Sequence, residues 1–314
     1  GIEPHPGPPK AFTRIISKNL NGLATGDKFG DCLFAITRLH EISHTAAVLI
    51  QEHNLDPSDA ARCKSAATSR KILWLAKYRP ASSTQKKGNG TAIAIPYEAI
   101  ELLDKEPLHQ AIARITNSFH GTRDGRISSC QIFIGGKKLR ITCAYAPHTG
   151  RPVFFRNALA PFITARTVLG IDANCVPDVT LDTQRPITVT TPYDNAGADD
   201  LAILTSSLPD VARIQLGPSA TLFTCLSHHG QGKTRTRVDQ LYAPVIDAFI
   251  WTHDTLHSFL PPKGLAEYDH TALQISLTLA RGERGSDLQT IKEKIYRDRA
   301  YHNKIAIMIL ATYD

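Results

Sequence analysis

LRITCAYAPH at residues 139–148 and TVLGIDAN at residues 167–174 are the stretches that decide the fold. Each starts as an apolar run of strand length and ends in polar side chains where a loop begins, at Tyr145 in the first and at Asp172 and Asn174 in the second. Comparable runs, bounded by Gly, Pro or Asn, recur along the chain. They predict strands at residues 12–17, 46–51, 71–76, 91–95, 111–116, 127–134, 139–145, 167–171, 221–225, 238–243 and 271–279.

Helical patterns are few between these strands. They predict helices at residues 27–43, 152–165 and 198–207, and GGKK at residues 135–138 predicts a hairpin turn. This alternation indicates an α/β fold in which two packed β-sheets are flanked by helices. The predicted organisation is an extended lead at residues 1–11, one folded domain at residues 12–280 and a basic helical tail or linker at residues 281–314.

The composition excludes several classes of protein. The 314 residues are 42% hydrophobic and 21% charged, which excludes a disordered or collagen-like chain. The apolar run at residues 305–311 is far too short to cross a bilayer, so we expect no membrane association. Because no basic-then-apolar leader opens the sequence, we expect a nuclear or cytoplasmic location rather than secretion. Six cysteines without C-x-x-C spacing exclude a zinc ribbon and argue against a disulfide framework.

Positive charge is concentrated in one part of the sequence. The net charge is +7, and residues 60–97 hold eight basic residues and no acidic residue. Such a stretch can collect phosphates, although a charge run is commonly only a solvated face. Because Trp74 and Tyr78 are interleaved with the basic residues, we favour a nucleic-acid surface.

Polar side chains with the chemistry of a hydrolytic site stand at the ends of six predicted strands. In chain order these segments are SKNLNG with Asn19 and Asn21, LIQE with Glu52, AYAPH with Tyr145, GIDAN with Asp172 and Asn174, TRVDQ with Asp239, and EYDH with Asp269 and His270. Each taken singly is most simply a turn former or a helix cap. Together they deliver hard oxygen ligands, one tyrosine and one histidine to a set of strand-end loops.

The order N-x-N, QE, Y-x-P, D-x-N, R-x-D, DH resembles the endonuclease/exonuclease/phosphatase superfamily, which includes deoxyribonuclease I and apurinic endonucleases, over about residues 12–279. DANCVPDVTLDTQRP at residues 172–186 and FTCLSHHGQGKTRTRVDQLYA at residues 223–243 are similar to segments of the endonuclease domains of LINE-type non-LTR retrotransposons. The resemblance implies a four-layer α/β sandwich like that of deoxyribonuclease I. It also implies an endonuclease domain at residues 12–280.

The activity implied by this resemblance is Mg²⁺-dependent nicking of one strand of double-stranded DNA. The product would be a 3′-hydroxyl that primes reverse transcription, and a reverse transcriptase module fused downstream is the implied partner. Three alternatives stay open: an apurinic/apyrimidinic repair endonuclease, a small-molecule phosphoesterase and an inactive DNA-binding remnant.

The resemblance also assigns the metal. Mg²⁺ prefers hard oxygen ligands and keeps several waters, so it takes few protein side chains. Glu52 is the expected main ligand, with Asn19 or Asp269 assisting and Mn²⁺ as a substitute for Mg²⁺. Asn21 is expected to support the site rather than to contact the metal.

The remaining site residues are assigned to the phosphate and the attacking water. The family pattern makes His270, hydrogen-bonded to Asp239, the group that faces the scissile phosphate, and Asp172 the group that orients or deprotonates the water. Asn174 and Tyr145 would bind the nonbridging oxygens. Whether Asp172 or His270 is the base stays open.

The DNA contacts predicted from the sequence combine basic residues with one histidine. They are Arg62, Lys64, Arg70, Lys71, Lys77, His148, Lys233, Arg235 and Arg237. His148 stands where the family pattern has an asparagine, so one phosphate contact is expected to be made by an imidazole. The loop at residues 227–236 resembles a hairpin that enters the DNA minor groove; the alternative is a metal site built on its two histidines.

Overall fold

The computed structural model describes residues 12–23, 27–78, 80, 89–134, 136–186, 192–229, 232–244, 249–252 and 269–279. Residues 1–279 form one unit and residues 280–314 a second one. The predicted lead at residues 1–11 and the predicted tail at residues 281–314 lie outside the described residues, so both stay predictions. None of the helices in the described ranges is both long and apolar enough to cross a membrane.

Strands and helices alternate along the described chain. The strands are β1 (Phe12–Asn19), β2 (Thr45–Gln51), β3 (Ile72–Lys77), β4 (Thr91–Pro96), β5 (His120–Gly121), β6 (Ile127–Ile134), β7 (Lys137–Tyr145), β8 (Thr167–Asp172), β9 (Thr183–Gln184), β10 (Cys225–His229), β11 (Gly232–Thr236), β12 (Asp239–Tyr242), β13 (Phe249–Thr252) and β14 (Leu273–Leu279). The α-helices are α1 (Lys28–Ser43), α2 (Ala60–Ser69), α3 (Tyr97–Leu103), α4 (Leu108–Asn117), α5 (Arg151–Val153), α6 (Val179–Asp182), α7 (Ala198–Leu204) and α8 (Val211–Leu216). A π-helix (Phe154–Leu159) and 3₁₀-helices (Pro57–Asp59 and Ala160–Phe162) complete the described elements.

These strands form two large sheets and one small one within the described ranges. The first has six strands in the order β13-β14-β1-β2-β4-β3, and the second has five in the order β12-β8-β7-β6-β5. The third has the order β10-β11-β9. Neighbouring strands are antiparallel except for two parallel pairs, β1 with β2 and β7 with β8. The predicted turn at residues 135–138 is confirmed as the connection between β6 and β7.

The sheets are buried on both faces, and the two-residue period of the strands sorts their side chains into layers. In β1, Ile15 joins the apolar core between the two large sheets, while Ile16 packs with α1 and α2 on the outer face. In β8, Val168 faces the same inter-sheet core, and Leu169 packs outward with the π-helix and α7. The order is helix, sheet, sheet, helix, and the predicted four-layer α/β sandwich is confirmed.

The two sheets approach closely next to the edge at which the polar residues lie. A Cβ on Gly170 of β8 would fall 2.4 Å from the Ser17 hydroxyl, so glycine is required where β8 crosses β1. Gln51 spans the gap: its Nε2 donates to Ser17 Oγ at 3.0 Å and to the Gly170 carbonyl at 3.4 Å. The inter-sheet core therefore changes from apolar to polar toward this end.

Three predicted elements differ from the structure. Residues 111–116 were expected to form a strand and lie inside α4, whose buried Ala111 and Ile115 have the i, i+4 spacing of a helix face. The strand expected at residues 221–225 begins only at Cys225. The helix expected at residues 152–165 is a succession of α, π and 3₁₀ turns ending at Phe162.

Candidate active site

Strand register brings the predicted site residues to one edge of the sandwich. Tyr145, Asp172 and Asp239 pair side by side at the ends of β7, β8 and β12. Asn19 ends β1 opposite Gln51 of β2. By the two-residue period these side chains continue the face that builds the inter-sheet core, so the candidate site is the polar end of that core.

Asn19 connects two carboxylates that come from different sheets. Its Nδ2 donates to Glu52 Oε2 at 2.7 Å and to Asp172 Oδ2 at 2.8 Å. Its Oδ1 accepts the backbone N–H of Asn21 at 2.8 Å. The amide of Asn19 thus holds Glu52 and Asp172 close together, and its oxygen is already hydrogen-bonded.

Backbone strain is concentrated around the same carboxylates. Four of the six non-glycine residues with positive φ in the described ranges are Asn21 (47°), Glu52 (52°), Asn54 (55°) and Asn174 (50°). A left-handed conformation is tolerated by asparagine but is uncommon for glutamate. Such strain persists only where the surroundings enforce it, as at functional sites.

The side chain of His53 holds the backbone of the loop after Glu52 in place. Its buried ring accepts the Leu55 N–H on Nδ1 at 3.0 Å and contacts the Lys77 carbonyl through Nε2 at 3.1 Å. Burial lowers the pKa of His53 to about 4, so the ring is neutral and Nε2 carries the proton that it donates. Gly90 leaves room for the ring, because a Cβ there would lie 2.5 Å from it.

His270 and Asp239 form a buried pair beside these carboxylates. His270 Nδ1 lies 2.7 Å from Asp239 Oδ2, with 9% and 6% of the two side chains exposed. Burial is the largest single effect and opposes protonation of the imidazole, but the charge and hydrogen bond of Asp239, together with Cys225 and the charge of Asp172, raise the pKa of His270 to about 12. Since Nδ1 faces Asp239, Nε2 is the nitrogen left for a substrate.

Lys18 is a site neighbour that the sequence reasoning missed. Its side chain is buried, and its ammonium donates to the backbone carbonyl of His270. Burial lowers the pKa of Lys18, while Asp239 and Asp269 act in the opposite direction. A lysine directly before the strand-end Asn19, inside an apolar strand, was the available signal, because lysine is almost never buried without a partner.

Asp172 is the most deeply desolvated carboxylate of the site. Burial and the nearby charge of Asp239 raise the pKa of Asp172 to about 7. Its Oδ1 accepts the backbone N–H of Asn174 at 3.0 Å, and the Asn174 amide donates to the Ala146 carbonyl at 2.7 Å. The Asn174 side chain also contacts the Tyr145 hydroxyl, so the two side chains lie next to one another.

Tyr145 and His148 are neighbours in the site that differ in exposure. The Tyr145 hydroxyl lies 3.4 Å from His148 Nε2. Burial and the neighbouring carboxylates Glu52 and Asp172 raise the pKa of Tyr145, so its hydroxyl keeps its proton. His148 is exposed and lies at the rim of the site, whereas Tyr145 is buried.

Among the residues that the structure describes, potential metal ligands fall into two sets of three whose atoms lie within 4.8 Å of one another. One is Asp172, Asp239 and His270, and the other is Cys225, Asp269 and His270. Glu52 is in neither set, and it is linked to this cluster through the amide of Asn19. Asp269, predicted from the sequence as a ligand beside Glu52, is exposed and groups with Cys225 instead.

The structure corrects the prediction that Arg237 contacts DNA. Only 1% of its side chain is exposed. Its Nε donates to Asp182 Oδ1 at 2.9 Å, and its two terminal nitrogens donate to the Asp210 carboxylate at 3.1 and 2.7 Å. Each of its three guanidinium nitrogens donates to a carboxylate, of which Asp182 is buried and Asp210 half-buried, so Arg237 anchors the segment between β11 and β12 and does not reach DNA.

The basic residues of the stretch at residues 60–97 that the structure describes divide between two ends of the first sheet. Lys77 pairs with Thr91 at the end that carries the site, whereas β3 begins at Ile72, about 17 Å away by strand rise. Helix α2 runs between the two ends, and its exposed Arg62 and Lys64 lie in its first half. Arg70 and Lys71, at the junction of α2 and β3, lie at the far end from the site.

The predicted groove-binding loop is a β-hairpin. Strands β10 and β11 pair from Cys225–Thr236 to His229–Gly232. Its base is held against the site because Leu226 N–H donates to the Asp269 carbonyl at 2.9 Å. Arg235 is exposed; the side chain of Lys233 lies outside what the structure describes.

No family model matches the sequence, and no curated protein is significantly similar to it. Solved structures do match. The endonuclease domain of TRAS1, a telomere-specific non-LTR retrotransposon, is 14% identical, with 86% of this chain and 100% of that chain covered and a TM-score of 0.50. The AP endonuclease LMAP from Leishmania major is 12% identical, with 86% and 89% covered and a TM-score of 0.59.

Two further structures have comparable scores. An AP endonuclease from Archaeoglobus fulgidus is 14% identical, with 85% of this chain and 99% of that chain covered and a TM-score of 0.54. The 3′-5′ exonuclease NExo from Neisseria meningitidis is 16% identical, with the same coverage and a TM-score of 0.53. The chain has the endonuclease/exonuclease/phosphatase fold, as the sequence predicts.

Proposed function

We propose that this protein is a Mg²⁺-dependent DNA endonuclease that hydrolyses one phosphodiester bond and leaves a 3′-hydroxyl. The observation that carries the proposal is the Asn19-bridged pair of carboxylates, Glu52 and Asp172, next to the Asp239–His270 pair. Phosphodiester hydrolysis requires a cation, an activated water and a donor to the phosphate, and this edge offers a group for each.

The donor set fits a hard divalent cation. Glu52 is half-buried, and its Oε2 accepts the Asn19 amide, which suits a single carboxylate ligand for Mg²⁺ or Mn²⁺. When bound, the cation would offset charge on the phosphorane and on the leaving 3′-oxygen. We assign Asn19 as a positioning residue, because its amide donates to both Glu52 and Asp172 and so holds the two carboxylates together.

His270 supplies the donor to the phosphate. Asp239 fixes the ring by its bond to Nδ1, which directs Nε2 and its proton toward a nonbridging oxygen. A cationic imidazole there stabilises the charge that develops on the phosphoryl oxygens.

Asp172 orients the attacking water and accepts its proton. Two donors, the Asn19 amide and the Asn174 N–H, hold its oxygens in place. The Asn174 amide and the hydroxyl of Tyr145 would bind the remaining phosphoryl oxygens, with His148 at the rim. This division of labour makes Asp172 the base and His270 the electrostatic donor.

Double-stranded DNA is the proposed substrate. Arg62, Lys64 and Lys77 lie on the side of the first sheet that carries the site, and Arg235 extends this basic surface along the hairpin. The similarity of residues 223–243 to LINE endonuclease segments supports the target-nicking domain of a non-LTR retrotransposon. A nuclear or cytoplasmic location and a downstream reverse transcriptase module belong to the same proposal.

Three substrates separate this function from its alternatives. We would incubate the protein with supercoiled plasmid, an abasic duplex and a phosphomonoester, each with Mg²⁺ or EDTA, beside His270→Ala prepared in the same way. We expect Mg²⁺-dependent nicked circles with 3′-hydroxyl ends from the wild type and none from His270→Ala. Cleavage restricted to the abasic duplex would identify a repair endonuclease, phosphate release alone would identify a phosphatase, and activity retained in EDTA would overturn the metal dependence.

A further inference from the structure

Cys225 differs from the other cysteines in its exposure and its neighbours. All six cysteines are free; five are buried, and Cys225 is half-buried. Its sulfur lies in one cluster with a carboxylate oxygen of Asp269 and a ring nitrogen of His270. Nothing in the proposed hydrolysis uses a thiol at this position.

The backbone holds Cys225 opposite His270. The two residues form an antiparallel β-bridge, and Thr271 N–H donates to the Thr224 carbonyl at 2.6 Å on one side of it. On the other side, Leu226 N–H donates to the Asp269 carbonyl at 2.9 Å. The thiol, the carboxylate and the imidazole are therefore brought together by paired strands rather than by loose loops.

The spacing of the three side chains fits a tetrahedral ion. Their ligand atoms lie within 4.8 Å of one another, and zinc bond lengths require separations of about 3.3–3.6 Å. Small side-chain rotations close that difference. Three protein ligands would leave the fourth position for water.

The chemistry of the set favours a soft cation over Mg²⁺. Thiolate and imidazole ligands select Zn²⁺ or Co²⁺, whereas Mg²⁺ takes oxygen ligands. Asp239 completes the arrangement, because its bond to Nδ1 leaves Nε2 of His270 for the metal. A carboxylate on the far nitrogen is the usual support of a zinc-bound histidine.

We propose that Cys225, Asp269 and His270 form an inhibitory site for Zn²⁺-like cations. An ion held there occupies the His270 nitrogen that the hydrolysis directs at the phosphate, so Zn²⁺ would stop nicking without displacing Mg²⁺ from Glu52. The inhibition rests on the proposed function, whereas binding of the ion does not.

Binding is tested first, with Co²⁺ alone and without DNA or Mg²⁺. We expect a thiolate-to-cobalt charge-transfer absorbance in the wild type and in Cys63→Ala, which removes a buried thiol of α2, and none in Cys225→Ser. A band that persists in Cys225→Ser, or no band in the wild type, would overturn the site.

Alkylation of the wild type, followed by peptide mass spectrometry, measures the accessibility of the Cys225 thiol. Zn²⁺ should protect Cys225 from alkylation, and equal labelling with and without Zn²⁺ would contradict the proposal.

Inhibition is tested next, by titrating Zn²⁺ into Mg²⁺-dependent plasmid nicking. Removing a neighbour of a metal ligand costs about 10- to 100-fold in affinity, so the loss of the thiol ligand should raise the half-inhibiting Zn²⁺ concentration of Cys225→Ser by at least that much. Equal inhibition of both proteins would show that Zn²⁺ acts elsewhere. If the wild type nicks nothing while the cobalt band still depends on Cys225, the proposed function fails and the metal site stands.

Discussion

Two buried polar clusters, two residues apart on the chain at Arg237 and Asp239, differ in how their charges are balanced. Around Arg237 there are two cations and two anions. Arg237 lies between Asp182 and Asp210, and Arg213 donates to Asp182 as well. Every charge in this cluster faces an opposite charge, which is the condition for a stable buried ion pair.

The cluster around Asp239 keeps an excess of acid. Glu52, Asp172 and Asp239 lie near one imidazole, that of His270, and one ammonium, that of Lys18. The pKa of Asp172 is raised to about 7 because burial and Asp239 both disfavour its charge. Under the proposed function, a cation and a phosphate complete this cluster, and that difference would separate a functional site from a structural one.

The largest expected effect is on catalysis, from Asp239→Asn. An amide cannot hold the imidazolium of His270 and can favour the wrong tautomer, so nicking should fall by on the order of 10³- to 10⁴-fold, as in other Asp–His pairs. Single-turnover nicking of plasmid with Mg²⁺ measures this. A decrease of less than about tenfold would mean that a group other than His270 donates to the phosphate.

The second effect is on stability, from Asp182→Asn. This change leaves Arg237 and Arg213 without their shared charge, and breaking a buried pair costs about 3–5 kcal/mol of unfolding free energy. Urea unfolding measures the loss. Asp59→Asn, which removes the partner of the exposed Arg62, is the matched control and should cost less than about 1 kcal/mol; equal losses for the two variants would erase the distinction between the clusters.

A smaller effect is expected on the salt dependence of DNA binding, from the basic residues of α2 and β3. Lys64→Gln with Lys77→Gln should lower the slope of log affinity against log salt by roughly 0.9 for each DNA phosphate that the protein no longer neutralises. Arg70→Gln with Lys71→Gln, at the far end of the sheet, should leave the slope unchanged. Duplex binding at several salt concentrations gives both slopes, and equal changes would mean that the whole stretch acts as one surface.

The smallest effect on rate is expected from the hairpin. Phosphate contacts position a protein on DNA, whereas specificity comes from what enters a groove. Replacing the segment at residues 227–236 by a short Asn-Gly turn should keep metal-dependent hydrolysis and redistribute the nicks. Nick positions are mapped on one labelled duplex; identical patterns would show that the hairpin does not select the site.

The strand-end residues were predictable from the sequence because the alternation of side chains along a strand is local. A polar side chain that continues the inward face of an apolar strand, such as Asp172 after Gly170, reaches the end of the core in any sandwich. Helix α4 was mistaken for a strand because a short apolar run fits both periods, and burial of Ala111 and Ile115 decides between them only in the structure.

Arg237 could not be assigned from the sequence for a different reason. Its partners Asp182 and Asp210 lie 55 and 27 residues away along the chain. A basic residue beside a catalytic motif resembles a DNA contact until burial is known. The same holds for Asn19, whose side chain could bind metal or donate to carboxylates, and only the positions of Glu52 and Asp172 distinguish the two roles.

The central claim is that the excess of acid at this edge exists to hold a catalytic cation, and Glu52→Gln tests it most directly. This change keeps the size of the side chain and removes the charge of the proposed ligand. At the same Mg²⁺ concentration we expect plasmid nicking to fall by on the order of 10²-fold or more, since a metal ion supplies several kcal/mol of transition-state stabilisation, while DNA binding is kept or strengthened. Wild-type nicking by Glu52→Gln would contradict the account.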